Sequence, residues 1–181
     1  AYGSWLRNES DKEKLKVVVG RDARISGKMI QELVVNTLVG LGIDVIDIGL
    51  STTPTVEIAV PRENADGGII LTASHNPKQW NALKLLNSKG EFLDGKEGAK
   101  ILQIADTEDF YFSEVDDLGK VISKENYIEI HINEVLKLKL VDVEAVKKAH
   151  FKVVVDGVNS TGGIAIPELL EKLGVEVIKL Y

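Results

Sequence analysis

The chain has 181 residues, a formal net charge of -6, 44% hydrophobic and 28% charged residues, and no cysteine. That balance fits an ordinary soluble globular protein of one domain or slightly more. It excludes disulfides, thiolate chemistry and cysteine-bound metals, and the lack of a basic face argues against nucleic acid as a partner.

No apolar run nears the ~18–20 residues that span a bilayer, and no signal-peptide pattern opens the chain. A cytoplasmic protein with no membrane contact is therefore expected. Residue 1 is Ala, and residues 1–7 read as the tail of a helix. Tyr181 follows directly on a strand pattern. Both ends look cut, which points to a piece of a longer protein.

In chain order, strand and helix patterns alternate. Residues 16–20 form a β-branched run suited to a buried parallel strand. Residues 27–41 space Ile30, Leu33, Val34, Leu38 and Leu41 as a helix does, with Ser26 as N-cap and Gly40 or Gly42 as its end. Residues 43–48 alternate like a strand. Thr53 and Pro54 read as N-cap and first helical residue of a helix that Pro61 ends or kinks. A strand follows at 68–72. Residues 83–86 and 91–93 flank the turn signal 87–90, which suggests a hairpin. Residues 94–105 and 124–138 read as helices, and the acidic stretch 106–117 as a solvated loop.

A second unit begins near Val141. A short helix at 142–150 leads into a strand at 151–157, a helix at 163–173 and a strand at 175–180. That is one βαβ unit, too small to bury a core of its own. The expected architecture is α/β: a three-layer αβα domain over residues 1–140 with a mixed, mainly parallel sheet. Residues 141–181 are the linker and the truncated start of a second, similar domain. Such a cut leaves sheet edge and apolar surface exposed, so self-association of the fragment is expected.

Three polar loops follow strand patterns, where open α/β sheets place ligand sites. In the first, an apolar run ends at Thr72, Ala73, Ser74, His75, Asn76 and Pro77. Ser74 either closes a serine turn or carries chemistry. Acyl transfer is disfavoured, because the G-x-S-x-G spacing is absent and adjacent side chains diverge. A serine bearing a phosphoryl group, with about two negative charges, needs cations and amide donors nearby. Asn76 and Lys84 are candidates. In the second loop, GRDARISG (20–27), Arg21 and Arg24 precede a helix start and suit an anion; an Asp–Arg pair bracing the loop is the alternative. The third, DGVNSTGG (156–163), either cradles a phosphate, though without the lysine of a P-loop, or is a plain strand-to-helix turn, the reading favoured. His131 and His150 fall on helical patterns, with surface or packing roles.

TASHNPKQWNALKLLNSKGEFL (72–93), with GRDARISG before it and VVVDGVNSTGG (153–163) after it, resembles the α-D-phosphohexomutase family. This family comprises phosphoglucomutases, phosphomannomutases and phosphoglucosamine mutases. The likeness covers nearly the whole chain, and a lysine ten residues after the serine of T-A-S-H-N-P is a specific signal.

The resemblance implies that Ser74 is the serine phosphorylated in the resting enzyme. It would interconvert hexose 1-phosphate and hexose 6-phosphate, glucose or mannose, through a 1,6-bisphosphate. Lys84 and His75 would belong to the catalytic set, Lys84 in proton transfer. Asn76, Arg24 and Arg21 would shape the site. Mg²⁺ would be held by Ser74 through its phosphate and by aspartates outside this chain, with glucose 1,6-bisphosphate as activator. The alternatives are a phosphoglucosamine mutase, a non-catalytic sugar-phosphate-binding module, or a serine phosphotransferase or phosphatase for another substrate. One departure stands out: Ala82 follows Asn81 where the family usually has glycine, and an ordinary backbone conformation is expected there.

Overall fold

Strand β1 (Leu15–Arg21) carries Val17, Val18 and Val19 in succession, all buried, because a central parallel strand is covered on both faces. In the computed structural model, which describes residues 1–181, β1 is the middle of a five-stranded sheet of order β4-β3-β1-β2-β5. The strands β2 (Ile43–Leu50) and β3 (Gly67–Leu71) flank it in parallel, and β5 (Val121–Ser123) extends the β2 side in parallel. On the other edge β4 (Leu83–Leu86) runs antiparallel to β3. The sheet is thus mixed and mainly parallel.

Alternation along these strands splits the core in two. Leu15, Val17, Val19, Ile43, Val45, Ile69 and Leu71 meet α1 (Tyr2–Asn8), α2 (Gly27–Gly40) and α4 (Gly95–Thr107). On the opposite face Val18, Ile46, Ile48, Ile70 and Leu86 meet α3 (Thr53–Arg62) and α5 (Tyr127–Leu136). Each such burial is worth ~1.5–3 kcal/mol, well above the ~1 kcal/mol range of strand propensity. Face alternation therefore dominates over intrinsic preference. The Tyr2 hydroxyl crosses the first core to donate to the Leu86 carbonyl at 2.7 Å, tying α1 to the β4 edge.

Residues 152–180 form a second sheet. Here β6 (Lys152–Asp156) pairs in parallel with β7 (Glu176–Leu180) through α7 (Gly162–Lys172), after the short helix α6 (Val143–Ala149). The two sheets share no strand. Lys172 on α7 donates to Asn133 on α5 at 3.3 Å, which links the two units. No helix is long and apolar enough to cross a membrane.

Several local expectations are corrected. The N-cap of α3 is Thr52, one residue before the expected Thr53, and its hydroxyl accepts from the Thr55 amide. Ser26 lies in helical conformation and makes no side-chain cap; its hydroxyl accepts from Asn81 instead. The second arm of the expected hairpin is reduced to one antiparallel bridge between Leu86 and Phe92. Strand β5 had no counterpart in the sequence reading. It is only three exposed residues long, too short for a periodic signal. Pro61 sits inside the last turn of α3, which ends one residue later.

Glu63, at the end of α3, joins that helix to the β5–α5 connection. Its carboxylate accepts from Lys124 Nζ at 2.7 and 2.8 Å and from the Tyr127 hydroxyl. Burial alone would raise the Glu63 pKa. The bonds from Lys124 and Tyr127, with the charges of Lys124 and Lys16, outweigh it and hold the carboxyl below its ordinary 4.5. Tyr127 is pushed upward by burial and by Glu63, so it stays a donor.

A carboxyl whose pKa is lowered by folding stabilises the native state above the unfolded value, and the gain is lost as pH falls through the folded value. Glu63→Gln is therefore expected to cost roughly 1–2 kcal/mol at pH 7. In denaturant titrations over a pH series, that difference should shrink once the pH drops below 4.5.

Candidate active site

Chain crossing places two loops side by side. From β1 the chain goes through α2 to β2 on one side, then crosses back through α3 to β3 on the other. The carboxyl ends of β1 and β3 therefore flank the point where strand order reverses, the usual ligand crevice of an open α/β sheet. Arg21 pairs with Leu71 in register, and the Asp22 amide donates to the Leu71 carbonyl at 3.0 Å. The loops after both strands thus start in contact.

Beyond β3, Thr72 and Ala73 are still buried, and the chain emerges at Ser74. Ser74 has φ 50°, in the left-handed region. Such a conformation costs a non-glycine residue on the order of 1–3 kcal/mol and collects at functional sites. Three groups hold it. The Ser74 amide donates to Thr72 Oγ1 at 3.2 Å, and that hydroxyl donates to Asp22 Oδ2 at 2.8 Å. Arg24 Nη2 donates to the Ser74 carbonyl at 2.7 Å. The Ser74 hydroxyl itself is exposed and makes no hydrogen bond within the chain.

Arg24 is the centre of the loop. Its Nη2 also reaches the Asn76 carbonyl at 2.9 Å, and its Nη1 reaches the Pro77 and Trp80 carbonyls, both at 3.0 Å. Its Nε donates to Asp22 Oδ2 at 3.2 Å. A guanidinium has five N–H donors, and these contacts use five. Of the two readings of the Asp–Arg pair, the geometry is that of a brace. Asp22 Oδ1 in turn accepts from the Arg24 amide at 2.9 Å.

The other expected residues are placed as follows. Arg21 turns toward α2, its Nε donating to Gln31 Oε1 at 2.8 Å while Gln31 donates to Asp47 at 2.6 Å. His75 is exposed and not hydrogen-bonded to Ser74, so no serine–histidine pair forms. The Asn76 side chain is exposed beside Ser74, and its amide closes a turn on Ala73 at 3.0 Å.

Lys84, opposite Ile70 in register, projects toward the α3 face, with Nζ 5.8 Å from the Phe92 ring centroid. The structure thus brings Ser74, Asn76 and Arg24 together, while Arg21 is bonded to Gln31 and Lys84 lies over Phe92. Ala82 has an ordinary φ; Asn81 accepts from its amide at 3.0 Å. His131 is half-buried, its Nδ1 3.0 Å from Thr55 Oγ1, and burial lowers its pKa.

A cleft of about 400 Å³ opens at Ser74, with Asp22, Arg24, Asn76 and Lys78 on the same side. The facing wall is Val158, Asn159 and Ser160 of the β6–α7 loop. Val158 and Asn159 both have positive φ, and Gly157 lets that loop pass against Gly163, where any β-carbon would collide. Sequence reasoning missed Lys78 and Thr72, and it weighed the 156–163 loop as a phosphate cradle or a plain turn without placing it beside Ser74. Nothing in the one-dimensional pattern shows that residues 158–160 line the same cleft as Ser74.

No group of three or more His, Asp or Glu side chains that could hold a metal ion is present. The one carboxylate lining the cleft, Asp22, is committed to Thr72 and Arg24. The residues of this chain do not form a Mg²⁺ site on their own.

Arg24→Ala is expected to destabilise the protein by roughly 2–3 kcal/mol and to accelerate amide exchange at Asn76 and Trp80. Arg24→Lys, with three donors and no planar fork, should recover less than half of the loss. Denaturant unfolding and hydrogen exchange check both.

Known proteins share this chain's sequence and fold. Residues 1–112 match the family described as phosphoglucomutase/phosphomannomutase, alpha/beta/alpha domain I. A phosphoglucomutase/phosphomannomutase of Thermococcus kodakarensis is 40% identical over 180 residues, covering 99% of this chain and 39% of that protein. A probable phosphoglucosamine mutase of Methanococcoides burtonii is 36% identical over 169 residues, covering 93% of this chain and 37% of its own length. In fold, a putative phosphomannomutase from Thermus thermophilus superimposes with a TM-score of 0.80 at 24% identity, over 99% of this chain and 39% of that one. The chain spans under two fifths of the relatives it matches. With most of its length matched by the domain I description, the chain belongs to the phosphoglucomutase/phosphomannomutase family.

Proposed function

We propose that the protein is a cytoplasmic phosphohexomutase in which Ser74 carries the transferred phosphoryl group. One observation carries this reading: an exposed, unbonded serine hydroxyl held in left-handed backbone by the Asp22–Arg24 brace at the sheet's switch point. Phosphoryl transfer depends mostly on positioning and charge stabilisation, and this brace fixes position before any substrate arrives.

In the proposed cycle, phosphorylated Ser74 meets a hexose 6-phosphate. The bond from phosphorus to Ser74 Oγ breaks, and a bond to the sugar 1-hydroxyl oxygen forms. The hydroxyl proton leaves to a base, for which Lys84 is the candidate. As the neutral amine it would take that proton and hand it to the Ser74 oxygen as the oxygen leaves, and its flexible stem lets it leave the Phe92 face. The product is hexose 1,6-bisphosphate with a free serine. After the sugar turns over, the 6-phosphoryl returns to Ser74 and a proton goes back to the 6-oxygen, releasing hexose 1-phosphate. His75 and Asn76 flank the transfer.

Added glucose 1,6-bisphosphate would prime an unphosphorylated serine. Mg²⁺, drawn to the phosphate on Ser74, would neutralise charge, with its other ligands outside the residues described here. Glucose or mannose phosphate is the proposed substrate, in line with the 40% identical relative. The relatives named as probable phosphoglucosamine mutases keep glucosamine phosphate as the second reading.

The full-length protein treated with glucose 1,6-bisphosphate and Mg²⁺ is expected to yield a phosphopeptide carrying phosphate on Ser74, read by mass spectrometry. Ser74→Ala should remove both label and turnover. An unmodified Ser74 in folded protein would instead support a sugar-phosphate-binding module. The 181-residue chain alone is expected to show no sustained turnover above its Ser74→Ala control.

A further inference from the structure

A phosphoryl group on Ser74 would bring about -1.5 to -2 charges into the cleft at neutral pH. Three charged side chains line that cleft: Asp22, Arg24 and Lys78. Asp22 and Arg24 are paired with each other, their side chains 15% and 12% exposed, and cancel. All five Arg24 donors are already engaged, four of them on loop carbonyls. Arg24 therefore offers an incoming anion no N–H without dismantling the loop that positions Ser74.

Of the other two cations expected at the site, Arg21 is bonded to Gln31 and Lys84 lies over Phe92 on the α3 face. Neither lines the cleft. Lys78 does. It follows Pro77 in the same loop, its side chain is exposed, and it makes no ion pair or hydrogen bond with any other residue.

We propose that Lys78 is a phosphate-positioning residue: its ammonium is the cation that faces a phosphoryl group on Ser74 and holds it against the Asn159–Ser160 wall. The assignment rests on the reading of Ser74 as a phosphoryl carrier. Lys78 has an advantage over an arginine at this point. A compact charge on a flexible stem can follow the phosphoryl between serine and sugar, which the fixed guanidinium of Arg24 cannot do.

The test is the titration of the phosphate itself. Phosphoserine installed co-translationally at position 74 of the full-length protein is followed by ³¹P NMR. Its second pKa, ordinarily about 6, is lowered by a neighbouring cation. Lys78→Ala is expected to raise it by about half a unit or more. Lys78→Arg should leave it near the parent value, and Lys89→Ala, in the 87–90 turn, should not move it. In turnover, Lys78→Ala should lower kcat/KM about tenfold or more, with Lys78→Arg restoring most of it.

An unchanged titration in Lys78→Ala, or an equal rise in Lys78→Arg, overturns the assignment. The two readings fail separately. A protein that shows the shift but turns over no hexose phosphate keeps Lys78 beside the phosphoserine and loses the mutase. Turnover with an unshifted titration loses only Lys78.

Discussion

The loop that presents Ser74 depends on one guanidinium. Arg24 gathers the carbonyls of Ser74, Asn76, Pro77 and Trp80 around its two terminal nitrogens and anchors its Nε on Asp22. A loop of this length would otherwise present carbonyls to water in many arrangements. Five charge-assisted bonds select one of them. Each such bond is worth about 1.5–3 kcal/mol, so even a fraction of their sum exceeds the ~1–3 kcal/mol of left-handed backbone at Ser74. Asp22 completes the arrangement by neutralising a largely buried cation that would be costly to leave unpaired. The arginine belongs to the loop after β1 and its partners to the loop after β3, so the brace depends on those strands being parallel neighbours.

That dependence links the hydrophobic core to the candidate chemistry. Face alternation along β1, β2 and β3 fixes the register, and the register sets Arg21 beside Leu71. A slip by one residue would exchange the side chains of the two core faces and also carry Arg24 away from its carbonyls. Core and site are therefore specified by the same pairing. The second sheet is less bound to it. Its β6–α7 loop faces Ser74 without sharing a strand with the first sheet, so one wall of the cleft is rigid with the loop and the other belongs to a separate unit.

The parts of this arrangement written in local pattern were legible. The continuous apolar run of β1, the helical spacing of α2 and the abrupt end of β3 at Thr72 all appear as periodicity. The T-A-S-H-N-P stretch and its later lysine carried the family resemblance. What was not legible depended on three-dimensional neighbours. Arg24 looks the same in sequence whether it binds an anion or braces carbonyls fifty residues away. Lys84 has the right spacing from Ser74, but its strand parity turns it to the α3 face. Lys78 has no pattern at all, since a lysine after Asn-Pro in a polar loop is unremarkable until the loop's other cation is known to be occupied. Strand β5 was missed because three exposed residues have no period to detect, and the Thr52 cap because two threonines in succession offer equal hydroxyls.

The left-handed backbone at Ser74 also bears on which amino acid can fill the position. Serine and threonine present equivalent hydroxyls to phosphorus, and on chemistry alone either would serve. At φ 50° they are not equivalent, because a branched β-carbon makes the left-handed region far less accessible. Threonine would draw on the same brace energy that orders the loop, loosening the geometry its hydroxyl needs. Asparagine and aspartate enter this region more readily than most residues, but they have no hydroxyl. The residue that fills the proposed phosphoryl-carrier position is thus selected by the shape of the peptide chain before its reactivity is called upon.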